Sequence, residues 1–373
     1  MLRAIVTHVL VPIALWAAAN TAVALTCDYK GGIAPAEGSM PLQISAITVG
    51  RDVPVGTEVY RQKFNVASGR SPTVECRYAP FQMGMDYIVD TWRGKANWSS
   101  GTYADKVYKT NIQGLGIAFT DSFGPYPRTG NRRPADCDSL TPCPIPLYKV
   151  TNFDLVLIKI GDVRPGVLWG RNLPTVTGYA SFNSIKMMAF SMGISGSIQI
   201  VSRTCDTPDV VVPMGTHQTK AFNGINSATG WKDFSIVLNN CPAFNGTYSE
   251  DAPSWTSQSG SNPTGTGTSG ISTNNRLLFR IDPARTAINP GQGVLSLDPA
   301  AAGSPTSAGG VGIQIASLKD GILPLGKDRN SELNLRNSEG SYSIPLRARY
   351  LQTGTKVTPG PANASATFTI TYQ

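Results

Sequence analysis

The sequence predicts an all-β protein built as two β-sandwich domains. Two observations carry the fold class. Short runs rich in Val, Ile, Thr and Tyr recur between Gly, Pro, Ser and Thr turn signals. No long stretch repeats its apolar residues at the helical period. A third observation divides the chain. Its 373 residues suffice for two domains, and "FSMGISGSIQ" (190–199) sets Gly193 and Gly196 between two strand patterns. We read a junction and hinge there, with domains at 25–192 and 197–373; a bend inside one large domain is the competing reading.

In chain order, residues 1–24 read as a secretory signal peptide. Arg3 gives a basic start, residues 9–19 a short apolar run, and Ala22-Val23-Ala24 a small-x-small cleavage pattern before Leu25. The run is short for a membrane anchor and contains Pro12. Expected strands in the first domain are 42–49, 53–60, 86–92, 152–160 and 180–190. Those of the second are 195–205, 210–215, 233–241, 276–282, 310–317, 341–351 and 364–373. The Ser/Gly/Thr-rich stretch 254–275 reads as a mobile loop without function.

All six cysteines follow the signal, and an even number in an exported chain points to disulfides. Nearest-neighbour pairing gives Cys27–Cys76, Cys137–Cys143 and Cys205–Cys241. Loop closure at these lengths is worth roughly 4, 2 and 4 kcal/mol. Zinc is excluded by spacing: no C-x2-C pair exists, and His217 is the sole histidine after the signal. The formal charge of +8 falls by one with the loss of Arg3. That excess suits anionic surfaces such as sulfated or sialylated glycans, and nucleic acid is a poor partner without a dense basic stripe. The most basic cluster is Arg128, Arg132 and Arg133.

No enzyme is expected, and no cofactor. Nucleophilic catalysis would have to use His217, which sits in "PMGTHQTK" beside a turn. "GILPLGKD" (321–328) imitates a phosphate loop, but Asp328 stands where Ser or Thr is required and no helix pattern follows. Asp86 and Asp90 fit strand alternation as well as a glycosidase pair. The N-x-S/T sequons at Asn97, Asn245 and Asn363 read as chance in a bacterial chain.

The end of the sequence, "ATFTITYQ", alternates. Ala364, Ala366, Phe368, Ile370 and Tyr372 point one way, and Ser365, Thr367, Thr369 and Thr371 the other. Cys205 follows "SIQIVSRT", Cys241 ends "DFSIVLNNC", and "DVVVPMGTHQTKAFNG" lies between them. Gly360 lies 14 residues from the end, counting Gln373 as one, and Tyr372 is penultimate. Over about 195–373 this resembles the pilin domain of chaperone–usher fimbriae. The resemblance implies an incomplete immunoglobulin-like sandwich whose open groove is filled first by a periplasmic chaperone and then by a strand from the adjacent subunit. It implies assembly roles for Gly360, Phe368, Ile370, Tyr372 and Gln373, the last through its carboxylate, and passage through an outer-membrane usher.

Ahead of this domain, the chain begins at "LTCDYK" with no alternating tail to donate. In the family such a subunit is the two-domain tip adhesin, displayed at the fimbrium tip on the cell surface. The pattern in 146–168 is similar to late strands of those adhesin domains. A shallow receptor site, for a host glycan or a matrix protein, would combine aromatic platforms with Asp, Asn and Arg. The first candidate stretch offers Asp90, Trp92, Arg93, Asn97, Trp98 and Tyr103; the second offers Tyr126 and Arg128. At least one of the two tryptophans is as readily core filler. A structural or capping fimbrial subunit without a ligand is the alternative.

Overall fold

The computed structural model describes residues 24–373 except 68, 78–79, 136, 138–140, 149–150, 259–263 and 320. The signal-peptide expectation therefore lies outside the described residues, apart from Ala24. The described residues form strands and short 3-10 turns, without an α-helix. The fold is all-β, as the alternation predicts. All three expected disulfides are present.

Two facing sheets make the first core. One runs Arg128–Thr129, Gln82–Asp90, Thr175–Phe182, Ile185–Ser195, Ala36–Pro41. The other contains Glu58–Val66, Phe153–Lys159 and Leu115–Asp121 side by side. Aromatic rings fill the space between them: Phe153 lies 4.9 Å from Phe64 and 5.3 Å from Phe190. Leu115–Asp121 is buried along nearly its whole length, so it shows no alternation, and the sequence gives no period to find it by. The expected strand 180–190 is instead a hairpin, turned at Asn183 with a positive φ of 51°; Asn tolerates that left-handed conformation. Thr26–Lys30 pairs with Thr73–Arg77, with Cys27 opposite its disulfide partner Cys76.

The second core is a smaller sandwich. One sheet runs Lys232–Cys241, Gly340–Gln352, Val311–Ser317, Val294–Leu295; the other runs Arg329–Asn330, Leu277–Pro283, Ala366–Tyr372. Leu323 and Leu325 of the phosphate-loop look-alike are buried in this core.

The boundary between the two cores differs from the expected 192/197. Gly193 lies inside Ile185–Ser195, and Gly196, at φ 78°, kinks the chain directly into Ser197–Val201. That strand pairs with Gly166–Trp169 and Ala46–Thr48 and lays Ile198 and Ile200 in the first core. The glycine pair is thus a bend within the first unit.

The loop reading of 254–275 is corrected. Ser254–Ser257 forms a strand that pairs in parallel with Glu58–Val66, and Gly265–Thr268 pairs on its far side. Trp255 is 4 % exposed and lies 6.0 Å from the Phe64 ring in the first core. The excursion is anchored where it leaves and rejoins the second sandwich: Thr48 donates from its N–H to the Gly246 carbonyl and from its hydroxyl to the Ala243 carbonyl, and Asn275 donates to the Thr48 carbonyl. Composition suggested a linker because the strand's partner edge lies almost two hundred residues away.

Candidate functional site

The second sandwich is open along one side. Ala366–Tyr372 pairs with Leu277–Pro283 on one edge and has no strand partner on the other among the described residues. Residues 210–215, expected as a strand from "VVVPMG", form no strand ladder. Between these two segments lies a groove of about 580 Å³. Its banks are residues 209–215 and 362–366 with Phe368; its floor includes Phe234, Ile236, Ile281, Leu295, Ile313 and Ile315 from both sheets. A floor drawn from both inner faces is the core of a sandwich seen through a missing strand. Apolar pockets flanked by an unpaired backbone edge are what an extended, alternating peptide fills.

The assembly residues take different places around this groove. Phe368 lines it, while Ile370 and Tyr372 are buried in the core beside it. The Tyr372 hydroxyl accepts the Cys205 N–H at 2.9 Å, tying the end of the strand to the disulfide. Burial raises the pKa of this phenol, so it stays protonated. Gly360 adjoins the groove's end near His217; a Cβ there would meet the Thr306 carbonyl oxygen at 2.1 Å, so the close backbone contact requires glycine. Gln373 exchanges backbone hydrogen bonds with Arg276 at 2.7 and 2.9 Å. Tyr372 is also gripped by the first unit: its N–H donates to Asp52 Oδ2 at 2.9 Å and its carbonyl accepts the Asp52 N–H at 3.1 Å. Buried Lys159 holds that loop by donating to the Gly50 and Arg51 carbonyls. Nothing in the sequence points to this latch, because neither Asp52 nor Lys159 sits in a motif.

The first-domain candidates separate into surface and structure. Asp90, Trp92 and Asn97 are exposed, Trp92 by 71 %. The Arg93 guanidinium lies 4.0 Å from the Trp92 ring centroid, a cation–π stack at the surface. Trp98 is half-buried against a satellite cluster of Tyr103, Val107, Ala118, Val156 and Ile158. Tyr103 is buried, donating to Glu58 Oε1 at 2.9 Å and accepting from Arg61 at 3.1 Å. These two are packing residues.

The second stretch is a structural cluster, not a surface platform. Tyr126 is fully buried and stacked on Tyr87 at 4.2 Å. Arg128 forms a two-pronged pair with Asp121, both contacts 2.7 Å. Arg132 donates from Nη2 to both Asp86 oxygens, at 2.9 and 2.8 Å, and Ser181 adds a third hydrogen bond. The sequence showed the arginines but not which carboxylates they meet, because Asp121 on Leu115–Asp121 and Asp86 on Gln82–Asp90 are brought to them by the fold. Phe123, beside Arg128 and 81 % exposed, is one surface aromatic that the sequence reading missed; its "DSFG" turn was the available signal.

Burial pushes the Asp86 and Asp121 carboxyls up; the hydrogen bonds from Arg132 and Ser181 on Asp86 and from Arg128, the Phe123 N–H and Tyr126 on Asp121, together with the neighbouring positive charges, more than offset it, so both pKa values lie below the ordinary one. Depressed carboxylates stabilise the fold above the unfolded value near 4, and this contribution is lost as pH falls through the folded values. Acid titration of the unfolding midpoint should show wild-type stability falling below about pH 4. Arg128→Ala, which strands Asp121, should cost about 2–4 kcal/mol at neutral pH and flatten that fall.

Residues 192–373 match the fimbrial protein family. The chain is 47% identical over 90 residues to the type-1 fimbrial protein A chain of Escherichia coli strain K12, covering 24% of this chain and 46% of that one. It is 27% identical over 209 residues to a type-1 fimbrial protein subunit of Serratia marcescens, covering 54% and 97%. The chain thus spans about half the length of the Escherichia coli relative. Among solved structures it is similar to the CupB6 tip adhesin from Pseudomonas aeruginosa, at 14% identity and a TM-score of 0.34, covering 93% and 95%.

Proposed function

We propose, from the match of residues 192–373 to the fimbrial protein family, that this chain is a tip adhesin of a chaperone–usher fimbria. The second sandwich joins the fibre by accepting a strand, and the first presents a receptor site. The observation that carries the assembly role is the open groove between residues 209–215 and 362–368. A periplasmic chaperone would occupy it first, and the adjacent subunit's strand would replace the chaperone at the outer-membrane usher. The tip position is supported by Thr26–Lys30, which is built into a sheet and cross-linked at Cys27–Cys76 and so is not free to fill another subunit's groove.

Of the residues proposed to contact a glycan or matrix-protein receptor, Asp90, Trp92, Arg93 and Asn97 retain that role. Exposed Trp92 stacks on half-buried Arg93 on a folded loop. Trp98 and Tyr103 support the loop from beneath. Full-length protein carrying a donor strand should bind saturably on an array of glycans and matrix proteins. Trp92→Ala should abolish at least about nine-tenths of that binding while leaving the unfolding midpoint within about 0.5 kcal/mol of wild type. The reading of a capping subunit without a ligand is supported by the packing and ion-pair contacts of Trp98, Tyr103, Tyr126 and Arg128. It gains if the folded, complemented chain binds nothing on the array.

A further inference from the structure

The outer face of the second sandwich carries a cationic cleft away from the strand groove. Arg347 and Arg349 are two residues apart on Gly340–Gln352 and so project to one face. Their guanidinium carbons lie 4.7 and 4.2 Å from the Trp231 ring centroid. Gln314 fixes Arg349, accepting its Nε–H at 2.9 Å, and is itself fixed by donating to the Gln292 carbonyl at 3.0 Å. The cleft measures about 630 Å³, and among the described residues no carboxylate lines it.

Two like charges side by side repel unless a counter-charge joins them. None does so among the described residues. Arg347 Nε is buried without a hydrogen-bond partner. Asp233, opposite Arg347 in the strand register, is exposed and forms no ion pair with it. Arg347 instead stacks on Trp231. Burial and the neighbouring Arg347 charge both lower the pKa of Arg349. The walls supply amides and a hydroxyl from Asn226, Asn289, Gln292 and Thr353, and apolar surface from Ile225 and Ile288. Forked guanidiniums match carboxylate and sulfate oxygens; amides match hydroxyls; isoleucines match the C–H faces of sugar rings.

We propose that this cleft binds an anionic polysaccharide, with the arginine pair on its carboxylate or sulfate and the amides on its hydroxyls. It is a second binding site, on the fibre-joining half, and independent of Trp92 and of the receptor reading above. The test is calorimetric titration of the full chain with sulfated heparin oligosaccharides, with oligogalacturonate and with poly-glutamate, at low and physiological ionic strength. Saturable binding of either sugar is expected, and which one identifies the anion. Arg347→Gln with Arg349→Gln should weaken it about tenfold or more. Arg349→Lys, which keeps the charge and loses the fork, should give an intermediate loss. All of these substitutions lie on the outer face, and an unchanged unfolding midpoint shows that the fold is intact. No sugar binding, or sugar binding unchanged in both arginine variants, overturns the proposal. Tighter binding of poly-glutamate than of both sugars overturns it in favour of an acidic protein partner.

Discussion

Trp255→Ala is expected to remove about 3–5 kcal/mol from the unfolding free energy, read as a lower denaturant midpoint. This residue belongs to the second half of the sequence and to the core of the first. Its ring is buried against Phe64. Its strand extends the sheet at Glu58–Val66, where Lys63 donates its N–H to the Pro253 carbonyl and Ala67 donates to the Ser257 carbonyl. Truncation leaves a cavity that two sheets cannot close together. The same contacts couple the halves, so wild-type fluorescence and circular dichroism should report a single transition. A near-neutral Trp255→Ala would mean that the hairpin is not seated on the first sheet. A fragment ending near residue 192 lacks both the Ser197–Val201 strand and Trp255, so receptor binding is best measured on the full chain.

Filling the groove should give the second large effect. A peptide that binds only the folded state at about 1,000 times its dissociation constant adds about 4 kcal/mol. For a sandwich of this size that is roughly 8–16 °C in thermal midpoint. The donor needs alternating apolar residues for the floor formed by Ile236, Ile281, Ile313 and Ile315. Ile313→Asp should abolish most of the gain by setting a charge where the donor's apolar side chain docks. A scrambled peptide of equal composition that raised the midpoint as far would argue against strand addition. Hydrogen exchange should show new protection along Ala366–Tyr372, whose outer edge has no strand partner.

The sequence made the second sandwich more legible than the first. Its strands bury one face, so Leu277–Pro283 and Ala366–Tyr372 alternate visibly, whereas "VVVPMG" reads as a strand but forms none, and instead banks the groove. The disulfides were legible because each joins sequence neighbours. Long-range pairing was not legible. Ser254–Ser257 has linker composition, and its strand character comes from an edge elsewhere. Tyr126 and Arg128 have the residue types of a binding surface, but Tyr87 and Asp121 bury the one and pair with the other. Trp92 and Trp98 share a loop and a chemistry, and only packing against Val156 and Ile158 sets them apart. Residue type nominated the site, and burial decided which residues were free to serve it.

The most direct test of the tip-adhesin account is immunogold electron microscopy of assembled fibres carrying an epitope in the exposed loop at Asn97. The account predicts gold at fibre ends alone, one cluster per fibre, because this subunit accepts a strand and its Thr26–Lys30 segment is committed to its own sheet. Gold repeated along the shafts would contradict it and make the chain a repeating structural subunit.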